Sequence, residues 1–525
     1  MTTAAPAKPF KITYTSANAD MGEFHRLFDE GLAWAHAQLG QDHPLFIDGK
    51  AVASKAKPLA VFSPIDGAPL GRFSAAQKAH LDAALRAARR AQKAWGAKPW
   101  QERLGILRKA AEEIRRRKWQ LGAVMSLEVG KNRMEAMGDA EEAADLIDYY
   151  AQTMDENQGF VRSLGKLLPN ERTSSVLRPY GVFLCVAPFN FPLALSTGMS
   201  AAALMGGNAV VYKPSPWTPW TGALLCEVYH AAGLPAGLFN FLPARLEDLG
   251  EKFWDRDELD GIVFTGSRDV GLKLVKEFPR RFPKPVLMEG GGKNATIVTA
   301  SADLDMAAEG VMKSAFGLSG QKCSACSRVY VDKKVADAFI AKLVEKTKSL
   351  KIGDPTQKDV YMGPVIGEPT VKRFEKAVAS AKKGGKVLLG GKRLKEGAFS
   401  KGWYVEPTIV ELPLKHALWS AELFMPFVAV GRVSGLDQAI EETNKADYGL
   451  TFGIFSGDKA EVQRAFDEVE AGVCYANRRT GATTGAWPGV QSFCGWKGSG
   501  ATGKGGCGPY YVAQFMREQS RTTME

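Results

Sequence analysis

The sequence predicts an α/β protein with two sheet-bearing regions, and two rhythms carry that expectation. From 182 to 290, short apolar strands (Val182 to Val186, Ala209 to Tyr212, Leu238 to Leu242, Gly261 to Phe264, Val286 to Met288) alternate with helical segments. That order argues for a parallel, doubly wound sheet, the usual platform for a nucleotide. From 291 to 490 a second alternation includes strands near Thr296 to Val298, Arg328 to Val331 and Phe427 to Val430, with a long helix from Val335 to Lys348. The boundary between the two falls near Gly290-Gly291-Gly292.

The opening region reads as helix-rich. A helical arm, Met21 to Leu39, runs into a short strand, Leu45 to Ile47, closed by a turn at Asp48-Gly49, and Ser63-Pro64-Ile65-Asp66-Gly67 is a second turn signal. Leu81, Leu85, Ala88 and Trp95 share one face of a first amphipathic helix, and Leu104, Leu107 and Ile114 one face of a second. A third helix covers Glu135 to Met154. Between 158 and 187 the pattern changes to alternation, at Phe160-Val161 and again at Ser174 to Val182, which reads as a strand pair. Beyond Gly498 the chain is glycine-rich, and a final apolar strand is expected around Tyr510 to Phe515.

Composition sets bounds on function. With 525 residues, 45% hydrophobic and 24% charged, the chain has ordinary globular composition and length for two or three domains. Seven cysteines form no pair of CxxC motifs, so reduced thiols in a cytoplasmic protein are expected, with no metal site. Met1 to Phe10 holds no apolar stretch of signal-peptide length. Residues 181 to 212 carry no charge, but Pro188, Asn190 and Pro192 interrupt them, so two buried strands with a loop and helix between are expected rather than a membrane span. The net charge of +11 raises the question of nucleic acid. Arg115-Arg116-Arg117-Lys118 continues a helical pattern, however, and reads as a solvated face.

Three stretches carry chemistry. Gly320-Gln321-Lys322-Cys323-Ser324-Ala325-Cys326-Ser327-Arg328 lies between a helical pattern and an apolar strand. A thiolate there would be a strong nucleophile, although a lone cysteine is more often a small buried hydrophobe. No GxGxxG follows the first strand. In its place Phe264-Thr265-Gly266-Ser267 ends a strand and opens a helix, where small residues let a pyrophosphate approach backbone N–H groups, and where a simple helix cap is the plainer reading. Val210 to Ser215 is a buried strand ending in Lys213, at the sheet edge where ribose or phosphate oxygens bind.

Taken with Pro188-Phe189-Asn190-Phe191-Pro192, Lys213-Pro214-Ser215, Glu289 to Lys293 (EGGGK), Gly320 to Cys323 (GQKC) and Glu422-Leu423-Phe424, these motifs stand in the order and spacing of a known family. The chain resembles the aldehyde dehydrogenase superfamily over nearly its whole length. Within it, the N-terminal arm, the CSACSR at 323 to 328, and Asn477 to Ala482 with Gly495 to Gly500 resemble the 1-pyrroline-5-carboxylate dehydrogenases, which oxidise glutamate γ-semialdehyde to glutamate in proline catabolism.

The resemblance implies a Rossmann-type cofactor domain (1–157 and 179–290), an α/β catalytic domain (291–497) and a small oligomerisation flap (158–178 and 498–525). It implies that Cys323 attacks the aldehyde, that the Asn190 amide and the Cys323 N–H hold the oxyanion, and that Glu289 is the base for thioester hydrolysis. Lys213, Ser215, Gly266, Ser267, Glu422 and Phe424 are the implied cofactor contacts, for NAD, with NADP open because Pro216 stands where NAD-preferring relatives often carry a glutamate. Met425 replaces a usual glycine, which could shift the Glu422 loop.

For the substrate, the resemblance implies a carboxylate held by the Ser324 hydroxyl and the backbone N–H groups of Gly481 and Ala482, walls at Phe189 and Phe493, and Glu135 for the ammonium, although a helical glutamate is usually just solvated. Thr483 to Gln491 reads as longer than in the family, with Trp487-Pro488-Gly489 added. A homodimer or higher homo-oligomer is expected, with no nucleic acid or membrane partner. Two other readings stay open: a dehydrogenase for another carboxylate-bearing or aromatic aldehyde, and a non-catalytic basic nucleic-acid-binding or structural protein on this fold.

Overall fold

A computed structural model describes residues 21–278 and 282–525; the expectation for Met1 to Phe10 lies outside the described residues. Two seven-stranded sheets dominate. The first runs Val286–Glu289, Gly261–Thr265, Val182–Val186, Ala209–Lys213, Phe239–Phe241, Leu45–Ile47, Lys50–Val52. Its first five strands are mutually parallel, and the hairpin Leu45–Val52 is added antiparallel. Asp48 (φ 55°) and Gly49 (φ 72°) make the tight turn of that hairpin, two left-handed residues that an Asp-Gly pair adopts at low cost.

The uncharged run 181–212 resolves into two central strands and the helix Ala194–Met205 between them, nearly every side chain buried. Strands covered on both faces read as unbroken apolar runs, which explains the missing charges. Among the described residues no helix is long and apolar enough to cross a membrane.

Strand order reverses at Val182–Val186, which has Ala209–Lys213 on one side and Gly261–Thr265 on the other. A crevice therefore opens beyond its carboxyl end, where Pro188 to Pro192 follow. The second sheet runs Lys386–Leu389, Thr408–Glu411, Phe427–Val433, Cys326–Asp332, Asn294–Val298, Thr451–Phe455, Val473–Ala476, all parallel after the first. Cys326 starts one of its central strands, and Cys323 thus sits just before a strand facing the first sheet's crevice.

The predicted helices form as Lys78–Ala97, Trp100–Val129 and Arg133–Glu156, with Leu81, Leu85, Ala88, Trp95, Leu104, Leu107 and Ile114 buried. The basic run is neutralised: Arg115 pairs with Asp145 and Asp148, Arg116 with Glu113, Arg117 with Glu227 and Lys118 with Glu141.

The C-terminal segment differs from expectation. Val512–Phe515 is a turn of 3-10 helix, not a strand, and the strand is Met516–Met524. Tyr511, Val512 and Phe515 all point into the first core, which alternating strand geometry could not allow; Phe515 packs on Phe183 at 5.0 Å between ring centres. Its carbonyl also accepts from the Asn208 amide at 2.9 Å. The following strand is exposed apart from Met516 and polar between its two terminal methionines, and is made by its antiparallel ladder with Glu171–Pro179, itself paired with Val161–Ser163. Side-chain hydropathy carries no signal for a strand whose two faces are both wet.

Candidate active site

One cavity of about 920 Å³ extends from the crevice of the first sheet to the loop before Cys326. Cys323, Glu289 and Asn190 all line it, as do Lys213, Ser215, Gly266, Ser267, Glu422, Phe424, Ser324, Phe189, Phe493 and Glu135. Its size is that of a site enclosing a cofactor or substrate.

The loop presenting the thiol is strained. Leu318 (φ 47°), Ser319 (φ 53°) and Gly320 (φ 66°) are consecutive left-handed residues, and for the first two this backbone is costly. At Gly320 a Cβ would lie 2.3 Å from the Met425 carbonyl, so only glycine fits. Side chains hold the turn: Ser319 Oγ donates to the Gly363 carbonyl at 2.8 Å, and the Gln321 amide donates to Leu318 O at 3.3 Å and accepts from Ile366 N–H at 2.8 Å. The carbonyl of Cys323 accepts from Asn294 Nδ2 at 2.7 Å, and that of Ser324 from Thr483 Oγ1 at 2.6 Å.

Burial pushes the Cys323 thiol up to about 12, with Glu422 and Glu289 adding to the rise, while the N–H groups of Ser324 and of Cys323 itself oppose it. Asn190 is buried at the crevice end of the first sheet, and among the described residues its amide has no protein partner.

Glu289 closes the strand Val286–Glu289, and its Oε2 is buried with no partner among the described residues. Burial raises its carboxyl well above the ordinary carboxylate range. Glu422 is raised to about 7, first by burial, and accepts from the Gly292 N–H at 2.8 Å. Gly291 (φ 81°) allows this approach, because a Cβ there would stand 2.5 Å from the Glu422 carboxylate. Met425 turns into the core of the second sheet, and Phe424 (φ 55°) stacks edge-on against Phe189 at 5.8 Å.

Lys213, Ser215, Gly266 and Ser267, the residues expected to hold a cofactor, line the same cavity. Lys213 is buried and lowered by burial to about 8; its ammonium donates to the Pro214 carbonyl, and among the described residues it is in no salt bridge. Ser267 precedes the helix Arg268–Glu277 and its hydroxyl makes no cap bond, leaving it free for an anion at that positive helix end. At Gly266 the N–H is spent on the Glu289 carbonyl at 3.1 Å, so this glycine can contribute closeness of approach but no donor. Pro216 lines the same end.

Of the expected substrate residues, Glu135 lines the cavity, whereas Gly481 and Ala482 do not. Glu135 is buried, not solvated, and its carboxylate is engaged by Lys322 Nζ at 2.7 Å and by the Leu318 N–H at 3.1 Å. An ammonium there would compete with Lys322. Gly481 and Ala482 do not line the cavity; their N–H groups donate to Arg478 O at 3.2 Å and Gly310 O at 2.9 Å. The chain carries Thr-Gly-Ala twice, at 480–482 and 484–486, and the second copy, Thr484-Gly485-Ala486, lines the cavity beside Ser324 and Phe493. The repeat was visible in the sequence, but only packing distinguishes the copies. Trp487, in the segment read as an addition, donates its indole N–H to Asp145 at 2.7 Å and anchors the second copy to the helix Arg133–Glu156.

Among the described residues no group of His, Cys, Asp and Glu could hold a metal. Cys326 is buried and packs against the Thr296 hydroxyl at 3.2 Å.

The sequence model of the aldehyde dehydrogenase family matches residues 51–520. The chain belongs to the aldehyde dehydrogenase family. Among curated members, the 1-pyrroline-5-carboxylate dehydrogenase of Bacillus cytotoxicus is 37% identical over 504 residues, 95% of this chain and 96% of that one. Among solved structures, the 1-pyrroline-5-carboxylate dehydrogenase from Thermus with bound NAD matches with TM-score 0.92 and 34% identity, covering 99% of this chain and all (100%) of that one. A 3,6-anhydro-L-galactose dehydrogenase in complex with NADP matches with TM-score 0.86 and 29% identity, over 92% of this chain and 99% of that one. The α/β architecture with parallel sheets expected from the sequence is thus that of aldehyde dehydrogenases.

Proposed function

We propose that the chain is an NAD(P)-dependent 1-pyrroline-5-carboxylate dehydrogenase, oxidising glutamate γ-semialdehyde to glutamate in proline catabolism. The observation carrying this reading is the convergence of Cys323, Asn190 and Glu289 on one cavity, in a chain similar from end to end to enzymes of that name.

In this reading Cys323 Sγ attacks the aldehyde carbon, its proton leaves, and the carbonyl oxygen becomes an oxyanion held by the Asn190 amide and the Cys323 N–H. Lys213, Ser215 and Ser267 would hold the ribose and phosphates of NAD(P), and Glu422 and Phe424 its nicotinamide end, which would supply the hydride acceptor for the resulting thiohemiacetal. The product of that step is a thioester on Cys323. Glu289 then takes a proton from water as the water attacks the thioester carbon, and the thiol departs with a proton to restore the enzyme. Aldehyde, NAD(P)⁺ and water thus give carboxylic acid, NAD(P)H and a proton. Ser324 and Thr484-Gly485-Ala486 would receive the substrate carboxylate, with Phe189 and Phe493 as walls.

We infer further that 1–157 and 179–290 act as the cofactor domain and 291–497 as the catalytic domain. The sheet of Val161–Ser163, Glu171–Pro179 and Met516–Met524 would join subunits of a homo-oligomer, and the enzyme would work in the cytoplasm. The decisive experiment is steady-state kinetics with 1-pyrroline-5-carboxylate, using NAD and NADP in parallel. Formation of reduced cofactor is expected; none with this substrate, but some with another aldehyde, overturns the substrate assignment and leaves the chemistry standing.

A further inference from the structure

Lys131 and Asp139 form an ion pair with no solvent exposure at either side chain, Nζ to Oδ2 2.7 Å. Gly130, left-handed at φ 84°, ends the helix Trp100–Val129 and turns the chain so that Lys131 enters the core; Asp139 lies on the next helix, Arg133–Glu156. The pair reaches the loop of Asn190 at two points. Asp139 Oδ1 accepts from the N–H of Ala194, first residue of the helix Ala194–Met205, at 2.6 Å. Lys131 Nζ stands 3.9 Å from the ring centre of Phe191.

Phe191 and Ala194, one and four residues after Asn190, are thus fixed at the end of a turn that carries Pro188 and Pro192. A buried ion pair is a poor stabiliser, because desolvation offsets the attraction and well-packed apolar residues are often as stable. Its value must lie in geometry. An oxyanion donor works by standing in place before charge develops, and a misplacement of about 1 Å can cost roughly a hundredfold in rate. We propose that Lys131 and Asp139 are positioning residues that fix the 188–193 loop and so hold the Asn190 amide toward the reacting oxygen. The proposal rests on the reading of Asn190 as oxyanion donor.

The test compares four variants of the full chain: Asn190→Ala, Lys131→Met/Asp139→Asn, Lys131→Met/Asp139→Leu, and the last combined with Asn190→Ala. Asp139→Asn keeps an oxygen for the Ala194 N–H, whereas Asp139→Leu does not. Lys131→Met/Asp139→Leu is expected to lower kcat by roughly 10- to 100-fold, with the cofactor KM and the rate of iodoacetamide labelling at Cys323 unchanged. Lys131→Met/Asp139→Asn should recover most of that loss. In the Asn190→Ala background the apolar pair should cost nothing more.

An unchanged kcat, or the same fractional loss in both backgrounds, overturns the proposal. Asn190→Ala with full kcat instead overturns the oxyanion reading itself. If the apolar pair does not fold, Phe191→Leu carries the test, since it removes the ring beneath the ammonium and leaves the pair. The same Asn190-dependent loss of kcat is expected, and no loss overturns the proposal.

Discussion

The carboxylate of Glu135 meets Lys322 Nζ at 2.7 Å and the Leu318 N–H at 3.1 Å, gripping both ends of the left-handed turn that leads to Cys323. Glu135→Ala leaves a buried N–H and a largely buried ammonium without this partner, and should lower stability by about 1 to 3 kcal/mol in urea denaturation. Glu135→Gln keeps an acceptor for Leu318 and should restore part of it. If Glu135→Ala melts like the wild type, the grip has no energetic role.

The free thiol at Cys323 sits at about 12, so its thiolate fraction grows about tenfold per pH unit through the neutral range. Iodoacetamide labelling of the cofactor-free enzyme, followed by mass spectrometry, should climb with that slope between pH 7 and 9. Glu422→Gln should raise the rate at a fixed pH, because that carboxylate is one cause of the upward shift. Cys323→Ser should abolish oxidation.

Glu289, the proposed base, bears on stability too. Its carboxyl is raised by burial above the ordinary 4.5, so the folded chain holds this proton more tightly than the unfolded chain does. The associated stability is fully present below the unfolded pKa of 4.5 and is lost as pH climbs through the folded value. Glu289→Gln should therefore gain in Tm relative to wild type as pH rises from 5 to 8. The same variant should give one burst of reduced cofactor and then stall, with hydrolysis slowed by about 10²- to 10⁴-fold.

Asn190→Ala should lower kcat by about 10²- to 10³-fold with little change in cofactor KM, the behaviour of a donor used only in the transition state. A selective rise in KM would instead mark Asn190 as a ground-state binding residue.

The two Thr-Gly-Ala copies give a test of register. Ala486→Leu would place a larger side chain in the cavity wall and should raise the aldehyde KM by about tenfold or more, a loss of about 1.4 kcal/mol. Ala482→Gly removes a buried methyl outside the cavity and should cost stability while leaving KM alone. The reverse pattern would return the carboxylate to the first copy.

What the sequence made legible follows from how locally each feature is encoded. The strands of the two large sheets were readable because burial on both faces forces unbroken apolar runs such as Val182–Val186. That Cys323, Glu289 and Asn190 would meet in one cavity was readable because Glu289 ends a strand and the other two lie in short loops beside strands, each within a short motif. The choice between Gly481 and Gly485 was not, since identical tripeptides differ only in what the tertiary fold places against them. Nor was the Lys322 partner of Glu135, which lies on a distant loop. The strand Met516–Met524 escaped because an exposed polar ribbon is specified by its partner's backbone, not by its own pattern.

The docking of Phe515 against Phe183 and Asn208 has a consequence in time. The amide of Asn208 waits for a carbonyl 307 residues downstream. At about 5 to 20 residues per second, synthesis leaves that interval open for roughly 15 to 60 s. Throughout it the Phe183 ring lacks one of its two aromatic neighbours, Tyr180 being the other. The first core is therefore completed only when Phe515 docks, so a chain cut before that residue should lose the Asn208 bond and the Phe183 ring contact together.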